Sequence, residues 1–275
     1  MNSPTSSLKN SILIVGTVRN CEKTIFDEIS QLHKCFSPLF NIHYFIVESD
    51  SDDKTRDCLE NLKLSKENFN WLSLGRLRDK YPLRTERLAL CRNAYLDELR
   101  LNHIYQDIEY LVVSDLDGVN KLLTEDAVKS SWSNQYWGVC TANQDGPYYD
   151  IWALRHHIWS PGDCLQQYYF FLRNNISEPA AKFGAIFSKM IFISRDQDWI
   201  QVDSAFGGLA IYRRKVIEGA KYVGLNKSGE EVCEHVSFHL DITSRGHSIL
   251  INPNLINVDF TDVSEPLRAL FGEIA

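Results

Sequence analysis

The sequence predicts an α/β protein with a mostly parallel sheet flanked by helices. Two observations support this: apolar runs alternate with helical segments through residues 11–115, and polar side chains follow the apolar runs. Strands of a parallel sheet are buried on both faces and therefore appear as nearly continuous apolar runs. With 275 residues, of which 44% are hydrophobic and 24% charged, the chain can form a full core.

The first half of the chain contains four predicted strands separated by three predicted helices. The strands are expected at 11–18, 42–48, 71–74 and from 110 to the aspartates at 115 and 117, and the helices at about 22–36, 54–63 and 84–100. Ligands of such sheets bind beyond the carboxyl ends of the strands. The residues that follow the strands are therefore the first candidates for a functional site.

Asp115 and Asp117 follow the fourth predicted strand with one residue between them. Alternate side chains of a strand share a face, so both carboxylates are expected on one side. Mg²⁺ and Mn²⁺ prefer carboxylate oxygens and usually share them with substrate phosphates. The pair predicts a metal-held nucleotide or nucleotide sugar, with a solvated strand end as the alternative.

Polar side chains also follow the first two strands and the basic loop after the third. Arg19 comes after the first strand, and Glu48 and Asp50 after the second, where a carboxylate could accept hydrogen bonds from a base or ribose. The alternative is an acidic turn that caps the next helix. Arg87 lies in the first turn of the third predicted helix. It could bind a diphosphate, or it could belong to a solvated face of that helix.

Two segments of the second half place acidic, aromatic and basic residues together. Asp150, Trp152 and Arg155 lie within six residues. They could bind the donor sugar and its phosphates, or they could form a buried tryptophan with an ion pair. Asp203 precedes the glycine pair at 207–208. Glycine could allow a ligand to approach the backbone closely there, or could simply form a turn. Asp203 is a candidate for positioning the acceptor.

Glu234 and His239 complete the set of candidate site residues. Glu234 could orient an acceptor hydroxyl or act as its base, since a base must reach the proton it removes. His239 could complete the metal shell begun by Asp117, or could be a core histidine.

Composition limits the classes of partner and the setting. The net charge of −7 predicts no nucleic-acid binding. The seven cysteines are scattered without a C-x-x-C pair, which favours reduced thiols in a cytoplasmic protein. The polar first eleven residues do not resemble a signal peptide, and no apolar run reaches the ~20 residues of a membrane span. The apolar stretch 179–193 predicts core packing or a flap, with a peripheral membrane helix as the alternative.

The chain resembles the GT-A glycosyltransferases, and the resemblance covers roughly residues 11–240. It rests on Thr17-Val-Arg-Asn20, Glu48-Ser-Asp50, Arg87 with Arg92-Asn93, Asp115-Leu-Asp117, Asp203 to Gly208, Glu234 and His239. The string 149–155 is also similar to fungal capsule-associated α-1,3-mannosyltransferases. The chain departs from many inverting members at His235, where they have an aspartate.

The resemblance implies a Rossmann-like GT-A domain over residues 1–275, with a nucleotide-sugar half at about 11–120 and an acceptor half at about 121–260. It implies a metal-dependent enzyme that uses Mn²⁺ or Mg²⁺ to move a sugar from a nucleoside diphosphate sugar, such as GDP-mannose or a UDP-sugar, to a glycan or glycolipid. A nucleotidyltransferase and a catalytically silent nucleotide-sugar-binding protein are the alternatives.

Overall fold

The computed structural model describes residues 9–271. Residues 1–8, which belong to the polar first eleven residues, and residues 272–275 lie outside that range. Its strands are β1 (Ser11–Val18), β2 (Asn41–Glu48), β3 (Phe69–Ser73), β4 (Ile108–Ser114), β5 (Val139–Gln144), β6 (Ile200–Val202), β7 (Leu209–Arg213) and β8 (Ile249–Val258). Its α-helices are α1 (Ile25–Phe36), α2 (Thr55–Ser65), α3 (Arg84–Leu101), α4 (Glu125–Ser130), α5 (Cys164–Arg173), α6 (Glu178–Ala185), α7 (Glu234–Ser244) and α8 (Arg268–Phe271).

The eight strands form one sheet in the order β3-β2-β1-β4-β7-β5-β8-β6. The first four strands are parallel, as the sequence predicts. The first helix begins at Ile25, three residues after its predicted start, because the backbone of Thr24 bonds to Cys21 in a turn. The other elements of the first half begin and end within about three residues of their predicted limits.

The second half continues the same sheet with a mixture of strand directions. β7 lies antiparallel between β4 and β5, β8 runs parallel to β5, and β6 is an antiparallel strand at the edge. Four of the seven neighbouring pairs are thus parallel. The sheet continues across residue 120, where the sequence predicts the boundary between a nucleotide half and an acceptor half.

Two apolar clusters cover the two faces of the sheet. Leu96 of α3 and Phe238 of α7 belong to one cluster, and Leu32 of α1, Leu59 of α2 and Val128 of α4 belong to the other. Each of these side chains is at most 2% exposed, and full burial of such a side chain contributes about 1.5–3 kcal/mol. The helices therefore hold the sheet rigid and fix the positions of the loops beyond its strands.

Within residues 9–271, none of the helices combines the length and the apolar character that a bilayer crossing requires. All seven cysteines are free thiols. The apolar stretch 179–193 forms most of α6 and a single helical turn at 187–189, and part of it is exposed.

Candidate active site

A cavity of about 500 Å³ opens beyond the carboxyl ends of β1, β2 and β4. This volume is within the range of small-molecule sites. Among the predicted site residues its lining includes Arg19, Asp50, Arg87, Asp115, Asp117, Asp150, Trp152 and Glu234. The structure therefore brings most of the predicted site to one place, from four strand ends and from α3 and α7.

Gly16 in β1 fixes the turn that carries the two aspartates. A Cβ atom at Gly16 would lie 2.6 Å from the Leu116 Cδ1 atom and 2.7 Å from the Ser114 carbonyl oxygen. Because glycine has no Cβ atom, there is room for Leu116, the residue between the two aspartates, which is only 2% exposed. The turn places both Asp115 and Asp117 in the lining of the cavity.

Two further side chains hold this turn from outside the strand. The Asn120 side chain donates to the Asp115 carbonyl at 2.9 Å and to Glu28 at 2.6 Å. The Thr24 hydroxyl donates to the Leu116 carbonyl at 3.1 Å. The turn thus has fixed backbone partners on both sides.

Four carboxylates form what we call the acidic end of the cavity, those of Asp115, Asp117, Asp150 and Glu234. Arg92 is the cation buried among them. Its Nε donates to Glu234 at 3.0 Å and its Nη2 lies 3.3 Å from an Asp115 oxygen. The guanidinium also lies within 5.7 Å of the rings of Phe206 and Tyr222. Arg92 therefore ties Glu234 to the first aspartate of the pair.

The electrostatics of the acidic end show an excess of negative charge. Burial is the main cause that raises the pKa of Asp115 to about 7; Arg92 opposes the rise, and the nearby carboxylates add to it. Burial likewise raises the pKa of Asp117 and that of Asp150. The positive charges of Arg92 near Asp115 and of Arg84 near Asp117 thus do not outweigh the cost of burying these carboxylates in ionised form.

These residues fit a divalent cation that is shared with a phosphate ligand. Across residues 9–271, no three carboxylate, imidazole or thiol side chains stand close enough together to hold a metal ion. Mg²⁺ and Mn²⁺ are often held by only one or two carboxylates, with substrate phosphates and water completing the shell. Asp115 and Asp117 are the residues that would hold such an ion.

A second group of lining residues, which we call the arginine end, consists of Arg19, Arg84 and Arg87 together with Asp50. Arg87 donates to the carbonyls of residues 81 and 82, and its Nε lies 3.6 Å from the Asp50 Oδ2 atom. Asp50 is 3% exposed, has a left-handed backbone with φ of 62°, and its Oδ2 atom has no hydrogen-bond partner. This buried carboxylate oxygen contacts Arg87 but accepts no hydrogen bond, and so keeps the capacity to accept one from a ligand.

Glu48 does not reach the cavity, contrary to its predicted role in binding a nucleoside. Its carboxylate accepts from the Ser51 backbone at 2.9 Å and from the Ser73 hydroxyl, and the residue is 1% exposed. It therefore stabilises the turn after β2, which was the structural alternative. Asp50, two residues later, is the carboxylate that lines the cavity.

The segment 150–155 divides between the cavity and the protein interior. Asp150 lines the cavity and accepts the Gly207 backbone N–H at 3.0 Å. The Trp152 ring lines it too, and its Nε1 donates to Asp163 at 3.1 Å. Arg155 does not fit its predicted ligand role, because it is absent from the lining and pairs with Asp163 at 2.9 Å. The pair anchors the start of α5, whose N-cap is Asp163.

Two other predicted site residues also lie elsewhere. Asp203 is exposed and lines a second cavity of about 640 Å³ with His156 and His157, so its predicted acceptor role does not fit the main cavity. His239 is fully buried, and its two ring nitrogens bond to Ser204 at 2.9 Å and Tyr212 at 2.8 Å. This geometry does not fit a metal ligand, and His239 is the core histidine of the alternative reading.

The roles of Arg92 and Asp163 were not predicted by sequence reasoning, although Arg92 forms part of the resemblance. Arg92 lies five residues after Arg87 in the same helix, and nothing in the neighbouring sequence distinguishes a buried arginine from a solvated one. Asp163 was detectable, since an aspartate directly before an apolar helical segment is a typical N-cap. Its side chain accepts the backbone N–H groups of residues 165 and 166.

Comparisons with known proteins show the fold. No protein-family model matches the chain, and no characterised protein matches it by sequence. Among solved structures, Staphylococcus aureus TarS residues 1–349 is 14% identical with a TM-score of 0.51, over 96% of this chain and 65% of that one. The mannosyltransferase PcManGT from Pyrobaculum calidifontis, in complex with GDP-Man and Mn²⁺, is 15% identical with a TM-score of 0.51, over 92% and 57%.

A longer S. aureus TarS structure is 13% identical with a TM-score of 0.54, and the match covers 96% of this chain and 39% of that one. The chain thus spans less than two thirds of the length of these three structures. The fold is the GT-A type that the sequence resemblance implies.

Proposed function

We propose that the protein is a glycosyltransferase that moves a sugar from a nucleoside diphosphate sugar to a hydroxyl of a glycan or glycolipid, with Mn²⁺ or Mg²⁺ as cofactor. The observation that carries the proposal is the Asp115 and Asp117 pair in a cavity with an acidic end and an arginine end. A diphosphate bound to a cation needs both kinds of group. PcManGT, which shares the fold, was solved with GDP-Man and Mn²⁺.

Each end of the cavity has a separate task in this proposal. Arg19, Arg87 and the Asp50 oxygen that accepts no hydrogen bond bind the nucleoside and its phosphates, and Asp115 with Asp117 holds the cation. When bound, the cation would neutralise charge that develops on the leaving diphosphate. Trp152 offers a flat apolar face to a sugar ring.

The chemical step breaks the bond between the anomeric carbon and the diphosphate oxygen, and its electron pair leaves with the diphosphate. The acceptor oxygen forms the new bond to that carbon and loses its proton. Glu234 and Asp150 are the lining carboxylates that could receive the proton. Arg92 holds one Glu234 oxygen at 3.0 Å and so fixes its orientation. If configuration is retained, the diphosphate itself takes the proton.

The test measures nucleoside diphosphate release from a panel of UDP-, GDP- and dTDP-sugars, with Mn²⁺ and with EDTA. We expect one donor to be hydrolysed slowly by the wild-type protein in Mn²⁺ only, and not by Asp117→Ala. Asp107→Ala, which removes an exposed aspartate near β4, is the matched control.

Two other results would support a different class, and the first requires a separate assay with a nucleoside triphosphate and a sugar phosphate. Release of pyrophosphate from a nucleoside triphosphate and a sugar phosphate would indicate a nucleotidyltransferase. A donor-induced thermal shift without any diphosphate release, even with added acceptors, would indicate a nucleotide-sugar-binding protein without turnover.

A further inference from the structure

Exposed apolar side chains are concentrated in residues 164–192, which we call the aromatic hairpin. It consists of α5, the turn after it, α6 and the residues that follow. Within residues 9–269, seventeen large hydrophobic side chains are exposed, and six of them belong to this segment of 29 residues: Tyr169, Phe170, Ile176, Phe183, Ile191 and Phe192. Single exposed apolar residues are ordinary, but a cluster of them indicates an interaction surface.

The aromatic hairpin is an ordered structure. Asp163 caps α5 through two backbone N–H groups, and the turn after α5 passes through Asn175 with φ of 61°. The Ile176 backbone N–H returns to the Phe171 carbonyl at 3.1 Å. A Cβ atom at Gly184 of α6 would lie 3.3 Å from the Phe171 ring, so the two helices pack closely. The exposed aromatic groups are therefore held outward by a fixed scaffold.

The charge of the aromatic hairpin is opposite to that of the chain as a whole. It contains three basic residues, Arg173, Lys182 and Lys189, and one acidic residue, Glu178, whereas the chain has a net charge of −7. None of the three cations forms a salt bridge within residues 9–271. Lys182 lies 5.1 Å from the Phe187 ring instead.

Lys189 is partly buried and donates to the Gln167 side chain at 2.6 Å, whereas Arg173 and Lys182 are exposed. Aromatic side chains combined with exposed cations on short helices are typical of segments that lie in a membrane interface. The apolar groups enter the boundary of the acyl chains, and the cations attract anionic headgroups. We propose that the aromatic hairpin docks the protein on an anionic lipid surface. A neutral or acidic hairpin would favour a protein partner, whereas the excess of cations here favours a lipid surface.

Docking through the aromatic hairpin would involve the main cavity, because residues of the hairpin form part of its lining. Cys164 and Leu165 of α5 and Ile186 after α6 line the main cavity. The same hairpin thus borders the cavity and carries the exposed aromatic groups. If the proposed transfer function holds, the acceptor hydroxyl belongs to a lipid-anchored molecule.

The experiment measures co-flotation of the full chain with vesicles of phosphatidylcholine and phosphatidylglycerol at 70:30, and with phosphatidylcholine alone. We expect binding to the anionic vesicles, and a loss of that binding when salt rises to 0.5 M, since screening weakens the attraction of headgroups. Phe170→Ser with Phe183→Ser, and separately Arg173→Glu with Lys182→Glu, should each weaken binding by about tenfold or more.

Matched controls replace apolar and basic residues that are exposed elsewhere on the protein, the apolar ones more exposed than Phe170 and Phe183. Leu64→Ser with Tyr136→Ser removes side chains that are 79% and 88% exposed, and Arg56→Glu with Lys63→Glu reverses two exposed cations of α2. We expect these controls to float like the wild type. Vesicle binding is measured without turnover, so its result is separate from that of the donor panel.

Three outcomes would overturn the docking proposal. In the first, the wild-type chain remains unbound to anionic vesicles at low salt. In the second, the hairpin variants and the control variants lose binding equally. In the third, the phenylalanine variant converts a dimer to a monomer in sedimentation while vesicle binding is unchanged, which would assign the surface to a second copy of the chain.

Discussion

The acidic end and the arginine end of the main cavity differ in the sign of their charged groups and in how those groups are buried. At the acidic end, carboxylates are brought together around one buried cation, Arg92, whose guanidinium is 4% exposed. At the arginine end, guanidinium groups line an open surface, and the only buried charge is the 3%-exposed Asp50. At the acidic end Arg92 pairs with carboxylates of the protein, and at the arginine end Arg87 pairs with Asp50. Arg19 and Arg84, by contrast, form no salt bridge within residues 9–271 and are open to pairing with a ligand.

The largest expected effect concerns the pairing at the acidic end. Arg92→Met would leave Glu234 and Asp115 without their cation in the interior, and removal of one partner of a buried pair costs about 3–5 kcal/mol. Urea unfolding should show this loss in the free energy of unfolding. Arg56→Met, on the exposed face of α2, should change it by less than about 0.5 kcal/mol. A loss below about 1 kcal/mol for Arg92→Met would contradict the internal pairing.

A second prediction tests the role of the aspartate pair in catalysis. Asp117→Asn keeps the shape of the side chain and removes a metal-binding charge, so donor hydrolysis should fall by at least about a hundredfold. The decrease should be in Mn²⁺-dependent turnover, while the unfolding midpoint without metal stays within about 2 °C or rises. Asp107→Asn should retain full activity. Equal activity of Asp117→Asn and the wild type would remove the basis of the proposed function.

A third prediction uses the raised pKa of Asp115. The folded protein holds this proton up to pH about 7, whereas the ordinary value is 3.8. Between these values the unfolded chain binds fewer protons, so the stability of the metal-free protein falls as pH rises. Asp115→Asn lacks this loss. Its free energy of unfolding should match the wild type near pH 4 and exceed it by about 1–3 kcal/mol above pH 7, after allowance for partial exposure.

The fourth and smallest effect concerns the arginine end. Arg87→Ala should weaken binding of the preferred nucleoside diphosphate by about tenfold, or about 1.4 kcal/mol, because one charged contact to phosphate is lost. Calorimetric titration measures it, with Arg56→Ala as the control. Arg87→Lys should recover only part of the affinity, since a point charge replaces a planar fork. Affinity equal to the wild type for Arg87→Ala would show that its guanidinium only supports the carbonyls of residues 81 and 82.

Much of the first half could be predicted from sequence because its strands and helices are local and regular. The strand ends, the helix with Arg87 and the aspartate turn all follow from apolar runs and their order. The second half could not be predicted in the same detail, since β7 inserts between β4 and β5 from far along the chain. Contacts of that kind leave no pattern in neighbouring residues.

The residues that do not fit their predicted roles show the same limit. His239 is satisfied by Ser204 and Tyr212, which come from other segments. Arg155 pairs with Asp163 across a turn, and Glu48 bonds to Ser73 after the next strand. In each case the residue type suits a ligand, and a distant partner decides otherwise. Asp115 and Asp117 fit because they directly follow a parallel strand, whose carboxyl end opens into the cavity.

The contact of Gly16 with the aspartate turn limits how this sequence can change. A methyl group at position 16 would meet both the Leu116 side chain and the backbone oxygen of Ser114. A smaller residue at 116 could relieve the first clash, but no side-chain substitution removes a carbonyl oxygen. In a library that randomises positions 16 and 116 together, glycine should therefore be recovered at position 16 beside many residues at 116. The absence of a side chain at position 16 is thus a stricter requirement for the aspartate turn than the identity of the side chain at position 116.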